Sequence, residues 1–138
     1  MAKTNLAIEW AKSAYYDLEN IRYIINVDYL THIVAFHSQQ AIEKSFKAII
    51  VFHQSKLPKQ HDLLKLHTLV KDHFNIEDES ILEDLNELYI ESRYPSAFGL
   101  LPYGKPTRED AKEFYGFANN IFDKVCNILN LDKQELMD

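Results

Sequence analysis

Apolar residues recur along this chain at steps of three and four, and no segment alternates convincingly at steps of two. That period places successive apolar side chains on one face of an α-helix and argues against half-buried strands. Ala7, Trp10, Ala14, Leu18, Ile21 and Ile25 form the first stripe. "INVD" interrupts it, and Asp28 is expected to cap a second helix from about Tyr29 to His53. Pro58 makes 54–60 a loop, because the residue before a proline is driven out of the helical region. A short third helix follows, with Leu63, Leu66 and Val70 on one side. Ser80 and Glu83 read as a capping box opening a fourth helix, whose core positions are Ile81, Leu85 and Leu88 and which stops at Arg93 before Pro95. Residues 94–106 hold three of the four prolines and two of the three glycines, and read as one long loop. "TRED" at 107–110 starts a last helix with the stripe Ala111, Phe114, Ala118, Ile121, Val125 and Leu129. The tail "DKQELMD" is expected to fray. The elements predict an all-α, up-and-down bundle of four to five helices in a single domain spanning 1–138.

The second helix carries more than a core face. His37, Gln40, Lys44 and Lys47 fall on one stripe of it; Ser38, Ala41, Ser45 and Ala48 form another, made only of small residues. The first is a row of hydrogen-bonding and cationic groups. The second admits a close neighbour, within the chain or from a twin.

Composition narrows the classes. A chain of 138 residues, 46% hydrophobic and 26% charged, is large enough for one core without staples. A single cysteine, Cys126, excludes an internal disulfide and suits a reducing cytoplasm. Lysines and acids break up the opening residues, so no secretory leader is expected, and "AIIVF" is too short to span a bilayer. A net charge of −6 argues against a surface that tracks nucleic acid throughout. The charge is uneven, however. From Phe36 to Lys71 six lysines face only Glu43 and Asp62, whereas Asp72 to Glu91 holds eight acids and no base. This fits either a polar binding face opposite an acidic one or two neighbouring helices joined by ion pairs.

The strong catalytic signatures are missing. The sequence holds no glycine-rich phosphate loop, no nucleophile elbow and no cysteine pair for a metal. His61, His67 and His73 are six apart, which scatters them around a helix, and they read as exposed polar residues rather than a metal site. His32 and His37 diverge as well. Glu43 and Lys47, four apart, can pair along the helix for about 0.3–0.5 kcal/mol. What remains is the polar stripe and the break "ESRYPSAF". There Arg93 sits in a last helical turn with Tyr94 beside it, a cation favoured by the carbonyl end of the helix. An arginine, a tyrosine and two lysines together can hold a phosphate and stack a base.

"SQQAIEKSFKAIIV" resembles the signature of HEPN domains, small helical proteins often encoded beside minimal nucleotidyltransferases. "YYDLENI", "QHDLLKL" and "ESRYPS" match further elements of that family in its order and spacing, over about residues 7–130. The resemblance implies a HEPN-like helical bundle, usually dimeric and similar to the helical domain of kanamycin nucleotidyltransferase. It also implies nucleotide-binding positions at Gln40, Glu43, Lys44, Lys47, His61, Arg93 and Tyr94. Many members are similar in being metal-independent ribonucleases, with a histidine shortly after an arginine for proton transfer. Here no histidine stands at that spacing after Arg22, Arg93 or Arg108. The expectation is therefore a non-catalytic, cytoplasmic, homodimeric protein that binds a nucleotide such as ATP and serves as helical partner of a separate nucleotidyltransferase, as in a toxin–antitoxin pair. No catalytic residue, metal or cofactor is expected. Two alternatives stay open: a ribonuclease toxin acting on RNA through a degenerate site, and a pure protein-interaction module. The apolar loop residues Phe98, Leu100, Leu101 and Tyr103 favour the last.

Overall fold

The computed structural model describes residues 2–53, 56–73, 75–91 and 104–137. Within them lie six α-helices and no strand: α1 (Ala2–Ile24), α2 (Thr31–Phe52), α3 (Leu63–Val70), α4 (Ser80–Glu91), α5 (Arg108–Leu129) and α6 (Lys133–Leu136). The helical bundle read from the periodicity is the observed fold, with the sixth helix only one turn long.

The second helix is the axis of the assembly. It lies along α1 and α5 and also touches α3 and α4. From Ser45 to Val51 every residue is buried, so this stretch is surrounded rather than one-sided. Ser38, Ala41, Ser45 and Ala48 are all fully buried inside the chain. The small stripe thus serves packing within the fold and is not free to meet a twin. Phe46, Ile42 and Ile49 fill the centre with Phe114, Phe122, Leu63, Leu66 and Leu85. Truncating such a side chain to alanine costs about 2–5 kcal/mol.

Helix ends depart from expectation in three places. Asp28 does not cap α2: it lies in a 3-10 turn, Asp28–Leu30, and α2 begins after Leu30 with no side-chain cap. Asp28 instead meets Arg108 at 3.1 Å, and Lys105 donates to the Tyr29 carbonyl at 3.0 Å, tying this turn to the start of α5. Ser80 is the first residue inside α4 rather than its cap, and Asp78 accepts from its N–H at 3.0 Å. Of the expected core positions Leu85 and Leu88 are buried, while Leu82 takes the place expected of Ile81, which is half-buried. The tail is folded. Asn130 adopts a left-handed conformation (φ 55°) that ends α5, Asp132 caps α6, and Leu136 is fully buried where α6 meets α1. The expected start of α5 is present: Thr107 and Asp110 form a reciprocal capping box at 3.0 and 2.9 Å.

Candidate functional site

The polar stripe of α2 is organised by two carboxylates, each holding one lysine and one histidine. Glu43 is nearly buried and accepts from Lys47 at 3.0 Å, one turn further along α2. Nδ1 of His61 reaches both Glu43 oxygens at 3.1 Å from outside the helix. Gln39, fully buried, spends both amide hydrogens here: Nε2 donates to Glu43 Oε1 and to the His61 carbonyl, each at 3.1 Å. Its oxygen accepts from Gln40 at 2.6 Å. With its donors and acceptor all engaged, Gln39 fixes the backbone of His61 against α2.

Local chemistry explains why His61 stands there. Asp62 caps α3 by accepting from Leu64 and Lys65 N–H groups. It also accepts from the Asn86 amide at 2.8 Å, and the Asn86 oxygen accepts from Leu63 N–H at 2.8 Å. The residue before α3 is therefore clamped between α2 and α4.

The second node is Asp17 on α1. One oxygen meets Nδ1 of His37 at 2.8 Å and the other meets Lys44 at 2.7 Å. This carboxylate sits on the buried side of α1, among Ala14, Leu18 and Ile21. A charge at such a position is tolerated only with partners, and α2 supplies two. Both lysines of the stripe are consequently neutralised within the protein. Lys47, with its side chain only 7% exposed, also lies 5.3 Å from the centre of the Trp10 ring, a cation over an aromatic face.

A run of rings borders the two nodes. His37 meets Phe36 edge-on at 5.5 Å, Phe36 stacks on Tyr89 of α4 at 6.4 Å, and Tyr89 stacks on His61 at 5.4 Å. The second helix and the last turns of α4 thus lie side by side, as a shared site with Arg93 requires. Gln40, Glu43, Lys44, Lys47 and His61 are brought together with His37; Arg93 and Tyr94 lie outside the described residues. Asp17, Gln39, Phe36 and Tyr89 were not foreseen as members. The signal for Asp17 is a lone acid amid core positions of α1, and for Gln39 the glutamine pair beside Gln40.

Chemically, the face presents two imidazoles whose Nδ1 atoms are held by carboxylates, His61 half exposed and His37 more covered. Flat aromatic surface adjoins them. No group of three or more His, Cys, Asp or Glu residues is placed to hold a metal ion among the described residues. Nor is any helix there long and apolar enough to cross a membrane. In comparisons with known proteins, the family model described as HEPN domain matches residues 7–129. No curated protein and no solved structure matches the chain.

Proposed function

The chain belongs to the HEPN domain family, and from that premise we propose that it binds a nucleotide on the polar face of α2. The observation carrying this reading is the pair of carboxylate-held histidines beside the Phe36–Tyr89 stack. His61, half exposed, and Lys44, at the rim, meet the phosphates with Gln40, and the Tyr89 ring takes the base. Arg93 and Tyr94, which follow α4 in sequence, complete the set. Glu43 and Lys47 are too buried to touch the ligand and serve to position His61.

In this reading the protein is the helical partner, in trans, of a separate nucleotidyltransferase in the cytoplasm, and does no chemistry itself. A lone buried thiol fits that compartment. Homodimerisation would use a face other than the small-residue stripe, and the exposed Tyr16 and Tyr23 of α1 offer one. Calorimetric titration with ATP, with and without magnesium and at two salt concentrations, tests the site. Saturable binding that weakens with salt and is lost in Arg93→Ala and in Lys44→Ala is expected. Equal affinity in both variants overturns the assignment.

A second reading is favoured by the same two histidines. An imidazole oriented by a carboxylate is the usual equipment of a general acid or base, so a ribonuclease could use His37 and His61 without the family's usual arginine–histidine spacing. Cleavage of a folded RNA in the presence of a chelator, abolished by His61→Ala, would establish it; intact RNA would leave the binding reading.

A further inference from the structure

One carboxylate sets the orientation of two amides on the polar face of α2. Glu43, held by Lys47, is an acceptor only, so the Gln39 amide must turn its Nε2 towards it, at 3.1 Å. The second hydrogen of that Nε2 goes to the His61 carbonyl, also at 3.1 Å. Gln39 Oε1 is thereby forced to the other side, where it accepts from Nε2 of Gln40 at 2.6 Å. A Gln40 amide turned over would bring two acceptor oxygens to that distance and lose the bond. The chain Glu43–Gln39–Gln40 therefore leaves Gln40 one orientation, with Oε1 directed away from Gln39.

What remains of Gln40 is chemically specific. It is half-buried, and among the described residues nothing donates to its Oε1 and nothing accepts its second N–H. The N–H suits a phosphate oxygen. The carbonyl oxygen does not, because acceptor would face acceptor; it calls for a group that carries a hydrogen. Its place along the helix says which. Gln40 stands four residues after Phe36 and four before Lys44, about 6 Å of helix rise from each. Phe36 belongs to the ring end of the face, stacked on Tyr89, and Lys44 to the phosphate end. In a nucleotide the sugar lies between base and phosphates, and its hydroxyls are donors. The unused oxygen thus stands where a ribose hydroxyl falls.

We propose that Gln40 makes the face of α2 selective for ribonucleotides, its Oε1 accepting a hydrogen bond from a ribose hydroxyl. This rests on the nucleotide-binding reading above and adds which nucleotides the face takes. A ligand lacking the hydroxyl leaves the half-buried oxygen without a donor, which is how a polar group discriminates against an analogue. Calorimetric titration of the full chain with ATP, 2′-deoxy-ATP, 3′-deoxy-ATP and ITP, in the unsubstituted protein and in Gln40→Leu, tests it. ATP is expected to bind roughly fivefold or more tighter than one of the two deoxy analogues. Gln40→Leu is expected to bind ATP and both analogues alike, and matching thermal midpoints show that it folds. Equal affinity for ATP and both analogues in the unsubstituted protein, or a difference that survives in Gln40→Leu, overturns the proposal while the nucleotide site stands. A preference for ATP over ITP that depends on Gln40, with the sugars bound alike, assigns the oxygen to the base amine and also overturns it. Saturable binding of none of the four nucleotides overturns the nucleotide-binding reading, and this inference with it.

Discussion

His61 and His67 stand six residues apart and each meets a glutamate through Nδ1, yet the two pairs are inverted. In the His61–Glu43 pair the carboxylate is 5% exposed and the imidazole 53%. In the His67–Glu79 pair the imidazole is 0% exposed and the carboxylate 35%. His67 stacks on Phe46, and its Nε2 accepts from the Ile76 N–H at 3.1 Å. The ring proton therefore sits on Nδ1, donated to Glu79, and no edge of the ring is left over. His67 is a clamp that fastens the segment before α4 to the core. His61 is offered to solvent by a carboxylate that cannot leave. The contact type is the same, and burial of one partner or the other decides between holding the fold and meeting a ligand.

The strongest way to break this contrast is to remove the clamp. His67→Ala should cost about 3 kcal/mol or more, from the lost ring and two stranded partners, read as a large fall in the denaturation midpoint. His67→Phe keeps the volume but strands the Ile76 N–H, so about 1–3 kcal/mol should still be lost. Lys47→Ala comes next. It leaves Glu43 nearly buried with only His61 and Gln39, and should cost about 3 kcal/mol by chemical denaturation. Pairing Glu43→Gln with Lys47→Met should recover much of that, because an uncharged pair needs no compensation. His61→Ala should change stability by less than about 1 kcal/mol, since the ring is half exposed. The smallest effect concerns His53, whose ring stacks on His73 at 3.5 Å and meets no carboxylate among the described residues. Burial first, and the neighbouring His73 second, hold its pKa below the ordinary 6.5. A lowered histidine favours the neutral form in the fold. Its contribution is therefore present above about pH 6.5 and is lost as pH falls below that value. A thermal midpoint followed across that window should fall slightly more in the unsubstituted protein than in His53→Asn.

Much of the fold was legible because amphipathic periodicity records burial directly. Leu63, Leu66 and Val70, or Ala111 through Val125, face inward as their spacing says. Helix ends were less legible. Asp28 has the right chemistry for a cap but is used by Arg108, a partner 80 residues away that no local pattern reveals. The charged tail hid Leu136, whose burial depends on α6 turning back onto α1. At the site, the stripe on α2 was visible as a helix face, and its occupants do converge. One feature of it was not legible: spacing shows which residues share a face, not which partners other helices bring to them. The Glu43–Lys47 pair was expected from its spacing and is present, whereas Lys44 looked like a free cation, and its carboxylate partner comes from α1. His61, His67 and His73 were all expected to be exposed polar residues, whereas His67 is fully buried and His61 half exposed.

The central claim is that His61, exposed and held by a buried glutamate, belongs to a nucleotide site rather than to the framework. Trp10 is the single tryptophan and lies over Lys47, which pairs with Glu43, so its emission reports on that node. The direct measurement is an ATP titration of the unsubstituted protein and His61→Ala, followed by Trp10 fluorescence and by calorimetry. Saturable binding that weakens at least about tenfold in His61→Ala, equivalent to about 1.4 kcal/mol, with an unchanged thermal midpoint, is the predicted result. Equal affinity in the two proteins, or no binding in either, would contradict it.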